Sequence, residues 1–245
     1  SGGAPCFQMK NGTVSASVDL MKDGRIISLI AGNGSELLQG GFLGWLMFYD
    51  ALQQEVVSSI HSMKITKGVP ELVLKGVVGP YAGANPVPNP LLDMEIYRKY
   101  TLKGNKLDIE FTFVNPTKKA MRLGFRMNNY PYPGKRFGAE DIACTLMSGG
   151  KSVKVSPGKG VFAFKGAQTP FTRKNVSLWD GGVIRSSAKK GSMEDVLQIK
   201  PSSNFCGVMC WFSIHYNTVE LLSPYVTIPA GKKVVFRYEV TVSSK

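Results

Sequence analysis

The chain has 245 residues, 43% hydrophobic and 19% charged, with 30 Lys+Arg against 17 Asp+Glu and a formal charge of +13. That balance is globular and excludes an intrinsically disordered chain; no apolar run approaches the ~18 residues a membrane-spanning helix requires. Gly 27, Pro 14, Phe 13, Tyr 9 and Trp 3 favour turns and strands, so the predicted class is all-β, and at this length residues 1–245 are read as one domain.

The opening Ser1-Gly2-Gly3-Ala4-Pro5 has neither Met nor an apolar signal core. It reads as a processed start, and the expected location is exported, periplasmic or extracellular. In chain order, strands are predicted at 13–20, 26–31, 45–49, 56–67, 71–78, 92–102, 106–114, 121–129, 151–155, 161–165, 205–215, 219–222, 225–228 and 233–242. The clearest are 106–114 and 233–242. In the first, Leu107, Ile109, Phe111 and Phe113 alternate with Lys106, Asp108, Glu110 and Thr112, the period of a half-buried strand. Asp23-Gly24 and Gly104-Asn105 read as hairpin turns; Ser156-Pro157-Gly158 and Pro229-Ala230-Gly231 read as similar connections. Residues 79–90 hold four prolines and read as a loop; the polar stretch 186–204 reads as a loop with room for a short helix. A dozen or more strands joined by short turns predict a large antiparallel sandwich.

Cys6, Cys144, Cys206 and Cys210 read as buried free thiols. Two histidines are too few to complete a zinc site with them, so no metal or other cofactor is expected. The positive charge points to an anionic partner, set against a merely solvated surface. The lysine pairs 118–119, 189–190 and 232–233 are scattered, and no nucleic-acid motif accompanies them, so no nucleic-acid partner is expected. Asn11-Gly12-Thr13 and Asn175-Val176-Ser177 are formal glycosylation acceptors.

Three segments carry a family resemblance. Residues 19–38 (DLMKDGRIISLIAGNGSELL) hold a strand, a glycine turn and a second strand leading to Glu-Leu-Leu. Residues 97–134 hold a strand, a Gly-Asn turn, a strand ending at Asn115 and a further strand; residues 218–242 hold a closing pair of strands around Pro-x-Gly. Together, about a third of the chain resembles the galactose mutarotase-like (aldose 1-epimerase-like) superfamily, in the order that family requires. The resemblance implies a large twisted antiparallel β-sandwich with a sugar groove on a concave sheet face. It also implies a Glu base and two histidines. Asn128 falls where the first His is expected, no His lies between Tyr130 and Asn204, and only His61 and His215 exist. An Asn amide binds hydroxyls but carries no proton near neutral pH.

The candidate substrate-binding residues are Arg126, Asn128, Tyr130, Tyr132 and Arg136, with Trp179 and Trp211 as aromatic platforms. Arg126, Asn128 and Tyr130 alternate onto one strand face, and so do Met209, Trp211, Ser213 and His215. Arginine among tyrosines suits an acidic sugar, because its fork matches anionic oxygens. Each has a plain structural alternative: a basic loop, a packed tryptophan, a satisfied histidine. Trp45 reads as core. The function expected is carbohydrate binding without the usual epimerase dyad, the ligand an acidic glycan. The alternatives are a divergent aldose epimerase, lyase or hydrolase using Glu220 and His215 as catalytic pair, and a structural or protein-interaction sandwich.

Overall fold

A computed structural model describes residues 5–21, 23–38, 40–49, 58–66, 70–80, 89–134, 142–148, 150–155, 160–164, 182–212 and 217–245. Among these it contains strands and no helix, in sheets of three, five, nine and two antiparallel strands. The all-β sandwich expected from the sequence is therefore the observed class. The nine-stranded sheet is centred on β8 (Lys106–Val114) and β19 (Lys233–Ser244). Both keep the alternation read from their residues, with Leu107, Ile109, Phe111 and Phe113 buried.

The five-stranded sheet has the order β13–β16–β17–β10–β4. These are Gly160–Phe164, Gly207–Phe212, Asn217–Leu222, Phe125–Asn129 and Trp45–Phe48. The two large sheets meet through aromatic rings. Phe113 of β8 lies 4.9 Å from Phe125 of β10, and Phe125 lies 4.8 Å edge-on to Phe236 of β19. Phe48 and Phe205 complete the cluster. Tilted and edge-to-face rings at these separations add to the burial of their area.

Several expectations are corrected. The predicted strand 121–129 is two strands, β9 (Met121–Leu123) and β10, in different sheets. They divide at Gly124, where a Cβ would lie 2.5 Å from the Tyr49 ring and 2.7 Å from the Tyr225 ring. Only glycine lets the chain pass between them. The polar stretch 186–204 is mostly a hairpin, β14 (Val183–Lys190) and β15 (Met193–Pro201), turning at Gly191 with φ +61°. Its pattern was hidden because Ser186 and Asp195 face inward, Asp195 accepting a hydrogen bond from the Ser244 hydroxyl. Strands β1 (Cys6–Lys10) and β11 (Ala143–Ser148) also lie outside the predicted set.

Asp23-Gly24 and Gly104-Asn105 are hairpin turns, with Gly24 at φ +78° and Gly104 at +57°. Pro229-Ala230-Gly231 instead joins β18 (Val226–Ile228), in the two-stranded sheet with β9, to β19 in the nine-stranded one. Residues 156–159 lie outside the described set, and the strands flanking them, β12 (Lys151–Val155) and β13, belong to different sheets. Most of 79–90 also lies outside the described residues.

Three cysteines are buried, but Cys6 is exposed; all four are free thiols. A hydrogen bond with Cys144, together with burial, pushes the Cys210 thiol well up. Asn11 is engaged structurally. Its Oδ1 accepts from the Thr13 and Val14 amides at 3.0 and 2.9 Å, and its Nδ2 donates to the Gly104 carbonyl at 2.8 Å. Asn175 lies outside the described residues. No helix among the described residues is long and apolar enough to cross a membrane.

Candidate functional site

Strand pairing decides which side chains share a face, since residues directly opposite point the same way. Asn128 stands opposite Glu220 on one side and Trp45 on the other. Arg126 stands opposite Leu222 and Met47; Glu220 stands opposite Met209, and Thr218 opposite Trp211. The intervening residues Leu46, Phe48, Met127, Val219 and Leu221 belong to the core. The outer face of the five-stranded sheet thus gathers Trp45, Met47, Arg126, Asn128, Glu220 and Trp211.

On this face Arg126 Nη1 donates to Glu220 Oε2 at 3.0 Å, with the two side chains only 17% and 10% exposed. Burial pushes the Glu220 carboxyl up, and the Arg126 guanidinium and the Thr218 hydroxyl only partly offset it. Asn128 Nδ2 contacts the Met47 sulfur at 2.8 Å, a weak acceptor. Asn128 Oδ1 and Trp45 Nε1 are buried and have no hydrogen-bond partner among the described residues. An acceptor and a donor therefore stand unpaired on two directly opposed residues.

An aromatic group adjoins them. Phe42 lies 4.4 Å from Tyr130 and 5.3 Å edge-on to Trp45, and Trp45 lies 6.4 Å from Tyr130. Buried charge holds the group in place. The Arg25 guanidinium sits 5.0 Å from the Phe42 ring and 5.1 Å from the Trp45 ring. Asp23 holds Arg25 at 2.7 Å and faces Arg98 at 3.5 Å. Burial alone would raise the Asp23 carboxyl, but Arg98 and Arg25 together hold it below its ordinary value. Arg98 also donates to the Gly44 carbonyl at 3.3 Å, and Asn129 Oδ1 accepts from the Gly44 amide at 3.0 Å and the Tyr238 hydroxyl at 3.1 Å. The backbone that enters Trp45 is thereby clamped from both sides. Gly41 is required on the approach, because a Cβ there would lie 2.1 Å from the Tyr130 carbonyl oxygen.

Of the residues singled out in the sequence, Arg126, Asn128, Glu220 and Trp211 share this face, and Tyr130 joins it through Phe42 and Trp45. Trp211 is 37% exposed and lies two strands and two residues from Asn128, roughly 12 Å away. Tyr132 packs partly against the core, its amide bonded to the Leu37 carbonyl at 2.8 Å. Arg136, Trp179 and His215 lie outside the described residues. Glu220 meets Arg126, and its expected partner His215 is not among the residues described. Trp45 is a correction: it was read as core, but it is half-buried on the outer face. With Met47 also apolar, strand β4 shows no alternation, and the indole N–H was the one available signal.

A concavity of about 630 Å³ lies on the outer face of the nine-stranded sheet. Most of its charges are paired: Lys99 with Glu71 at 2.6 Å, Lys103 with Asp108 at 2.9 Å, Arg237 with Glu110 at 2.5 Å. The unpaired buried donor and acceptor distinguish the five-stranded face from it.

No family model and no curated protein matches the chain. Solved structures do. A galactose mutarotase-like protein from Lactobacillus casei is 14% identical with a TM-score of 0.60, covering 98% of this chain and 100% of its own. Another from Clostridium acetobutylicum is 10% identical with a TM-score of 0.61, covering 98% and 95%. A galactose mutarotase related enzyme from Lactobacillus acidophilus is 11% identical with a TM-score of 0.61, covering 98% and 97%. The chain has a galactose mutarotase-like fold over nearly its whole length, as its three segments led one to expect.

Proposed function

We propose that the outer face of the five-stranded sheet binds carbohydrate. The observation that carries this reading is the opposed pair Trp45 Nε1 and Asn128 Oδ1, buried and unpaired. A buried polar atom without a partner costs about 1–3 kcal/mol. A sugar hydroxyl donates and accepts at once, so one ring bearing adjacent hydroxyls satisfies both atoms. The rings of Trp45, Tyr130 and Phe42 offer apolar surface for the C–H faces of a pyranose, and the Arg126–Glu220 pair offers charged hydrogen-bonding groups beside it. The likeness of the fold to galactose mutarotase-like proteins supports the same chemistry.

Opening a sugar ring needs an acid and a base on opposite sides. Glu220, raised by burial, is one proton carrier. That observation favours a second reading, an epimerase-type enzyme with Glu220 as its carboxyl group. Calorimetry with neutral hexoses and their oligosaccharides tests binding: Asn128→Ala loses it while the melting temperature stays. If Asn128→Ala binds every ligand as tightly as the wild type, the site is wrongly assigned. Polarimetry on freshly dissolved α-anomers tests turnover: the enzyme reading requires an acceleration that Glu220→Gln removes.

A further inference from the structure

The charged groups of the nine-stranded face are largely paired, but those at one end of the sandwich are not. Lys118 and Lys119 sit in the turn after β8, Arg122 in β9, Lys232 in the turn after β18, and Lys233 at the start of β19. All five are exposed. Residues 114–124 and 223–235 contain no Asp or Glu, and none of the five cations makes an ion pair among the described residues.

One fully buried residue draws them together. Asn115 Nδ2 donates to the carbonyls of Lys119 at 2.7 Å and Ile228 at 2.9 Å, while its own amide donates to the Lys232 carbonyl at 3.0 Å. Its Oδ1 accepts from the Thr117 amide and hydroxyl at 3.0 and 2.8 Å. Two lysine pairs 114 residues apart in sequence are thus built into one end of the fold. Arg122 is held 3.7 Å over the Tyr225 ring.

This end is continuous with the candidate sugar site. Strand β9 runs through Gly124 into β10, and β18 follows β17. Ser223 ties the junction, its hydroxyl oxygen accepting from the Phe125 amide at 2.8 Å and its amide donating to the Phe125 carbonyl at 2.9 Å. Four residues of chain separate Arg122 from Arg126, a span of at most about 13 Å.

We infer that the β9–β18 end is the anion-binding extension of the sugar site, and that the ligand is a glycan bearing sulfate or carboxylate groups. The inference rests on the carbohydrate reading above. On the five-stranded face Glu220 already meets Arg126, so selectivity for acidic groups has to come from elsewhere. A glycan fits better than the other polyanions. Arg122 covers the Tyr225 ring, which removes a stacking platform for bases. The exposed large apolar side chains of the described residues lie outside these segments, so no wedge for a bilayer accompanies the charge.

The test uses the full chain with dextran sulfate, carboxymethyl dextran and neutral dextran of equal length, at 50 and 150 mM NaCl. At least one acidic dextran binds tenfold or more tightly than neutral dextran, and its affinity falls with salt. The variant Lys118→Gln/Lys119→Gln/Lys232→Gln/Lys233→Gln loses at least tenfold and flattens the salt dependence, with an unchanged melting temperature. Equal binding by variant and wild type overturns the inference. So does tighter binding to duplex DNA or to phosphatidylserine vesicles than to either acidic dextran. Asn128→Ala separates the two readings: it weakens neutral-sugar binding if the sheet face is a sugar site, whatever the lysine variant does.

Discussion

Glu220→Gln should make the protein more stable at neutral pH, although it cuts a half-hidden ion pair. Removing one partner of a buried pair ordinarily costs about 3–5 kcal/mol. Here two opposing contributions must be weighed. At 3.0 Å and an effective dielectric near 20, attraction to Arg126 is worth about 5 kcal/mol. Yet the carboxyl is raised, so desolvation of its charge exceeds that attraction. The sign follows by linkage. A carboxyl raised in the folded state contributes stability below the ordinary glutamate range, about 4.3, and loses it as pH rises through the folded value. Glutamine mimics the protonated form and still accepts a hydrogen bond from Arg126. Each tenfold change in the acid constant is worth about 1.4 kcal/mol, and at this chain length 1 kcal/mol moves the melting temperature by about 2–4 °C. Melting curves from pH 4 to pH 8 are the assay. The variant melts a few degrees higher at pH 7–8, and the curves converge near pH 4. A wild type that melts higher at neutral pH, the gap closing on acidification, would mean the ion pair outweighs its desolvation and would refute the reasoning.

Other outcomes follow from the same packing and charge. Asp23→Asn strands Arg25 and Arg98, 6% and 3% exposed, without a carboxylate; it should cost about 3–5 kcal/mol by urea denaturation. Asp23 is lowered, so its stabilisation is present above its ordinary value of 3.8 and is lost as pH falls through the lower folded value; the variant lacks that acid-dependent loss. Asn128→Ala removes a buried amide whose oxygen has no partner, so its stability should change by less than about 1 kcal/mol while sugar binding is lost. Gly124→Ala forces the rings of Tyr49 and Tyr225 apart and should cost about 1–3 kcal/mol in chemical denaturation.

The strands that carry the core were legible from apolar alternation or, as at Ile26–Ala31, from a short apolar β-branched run between turn residues. Ile26–Ala31, Glu71–Val78 and Lys106–Val114 have the bounds their residues suggested. The hairpin β14–β15 was not legible, because Ser186 and Asp195 occupy inward positions where an apolar residue is expected. The break at Gly124 depends on two tyrosines distant in sequence, which no local pattern reveals. At the candidate site, Arg126 and Asn128 share the face that alternation assigns them and Tyr130 adjoins it through Phe42 and Trp45, while the partnership of Glu220 with Arg126 came from pairing β10 with β17. Trp45 was missed because both faces of β4 are apolar, one against the core and one toward the site. Two of the three scattered lysine pairs, 118–119 and 232–233, form a single basic end through Asn115, whose contacts span both segments.

The central claim, that Trp45 and Asn128 form a sugar-binding face, is tested most directly by nuclear magnetic resonance on protein labelled with ¹⁵N. The indole N–H of Trp45 is assigned by its loss in Trp45→Phe, and the side-chain amide of Asn128 by its loss in Asn128→Ala. Titration with a bound sugar should move both signals saturably and together, while the Trp45 indole moves downfield as it gains an acceptor. Saturable sugar binding that leaves both signals in place would contradict the account.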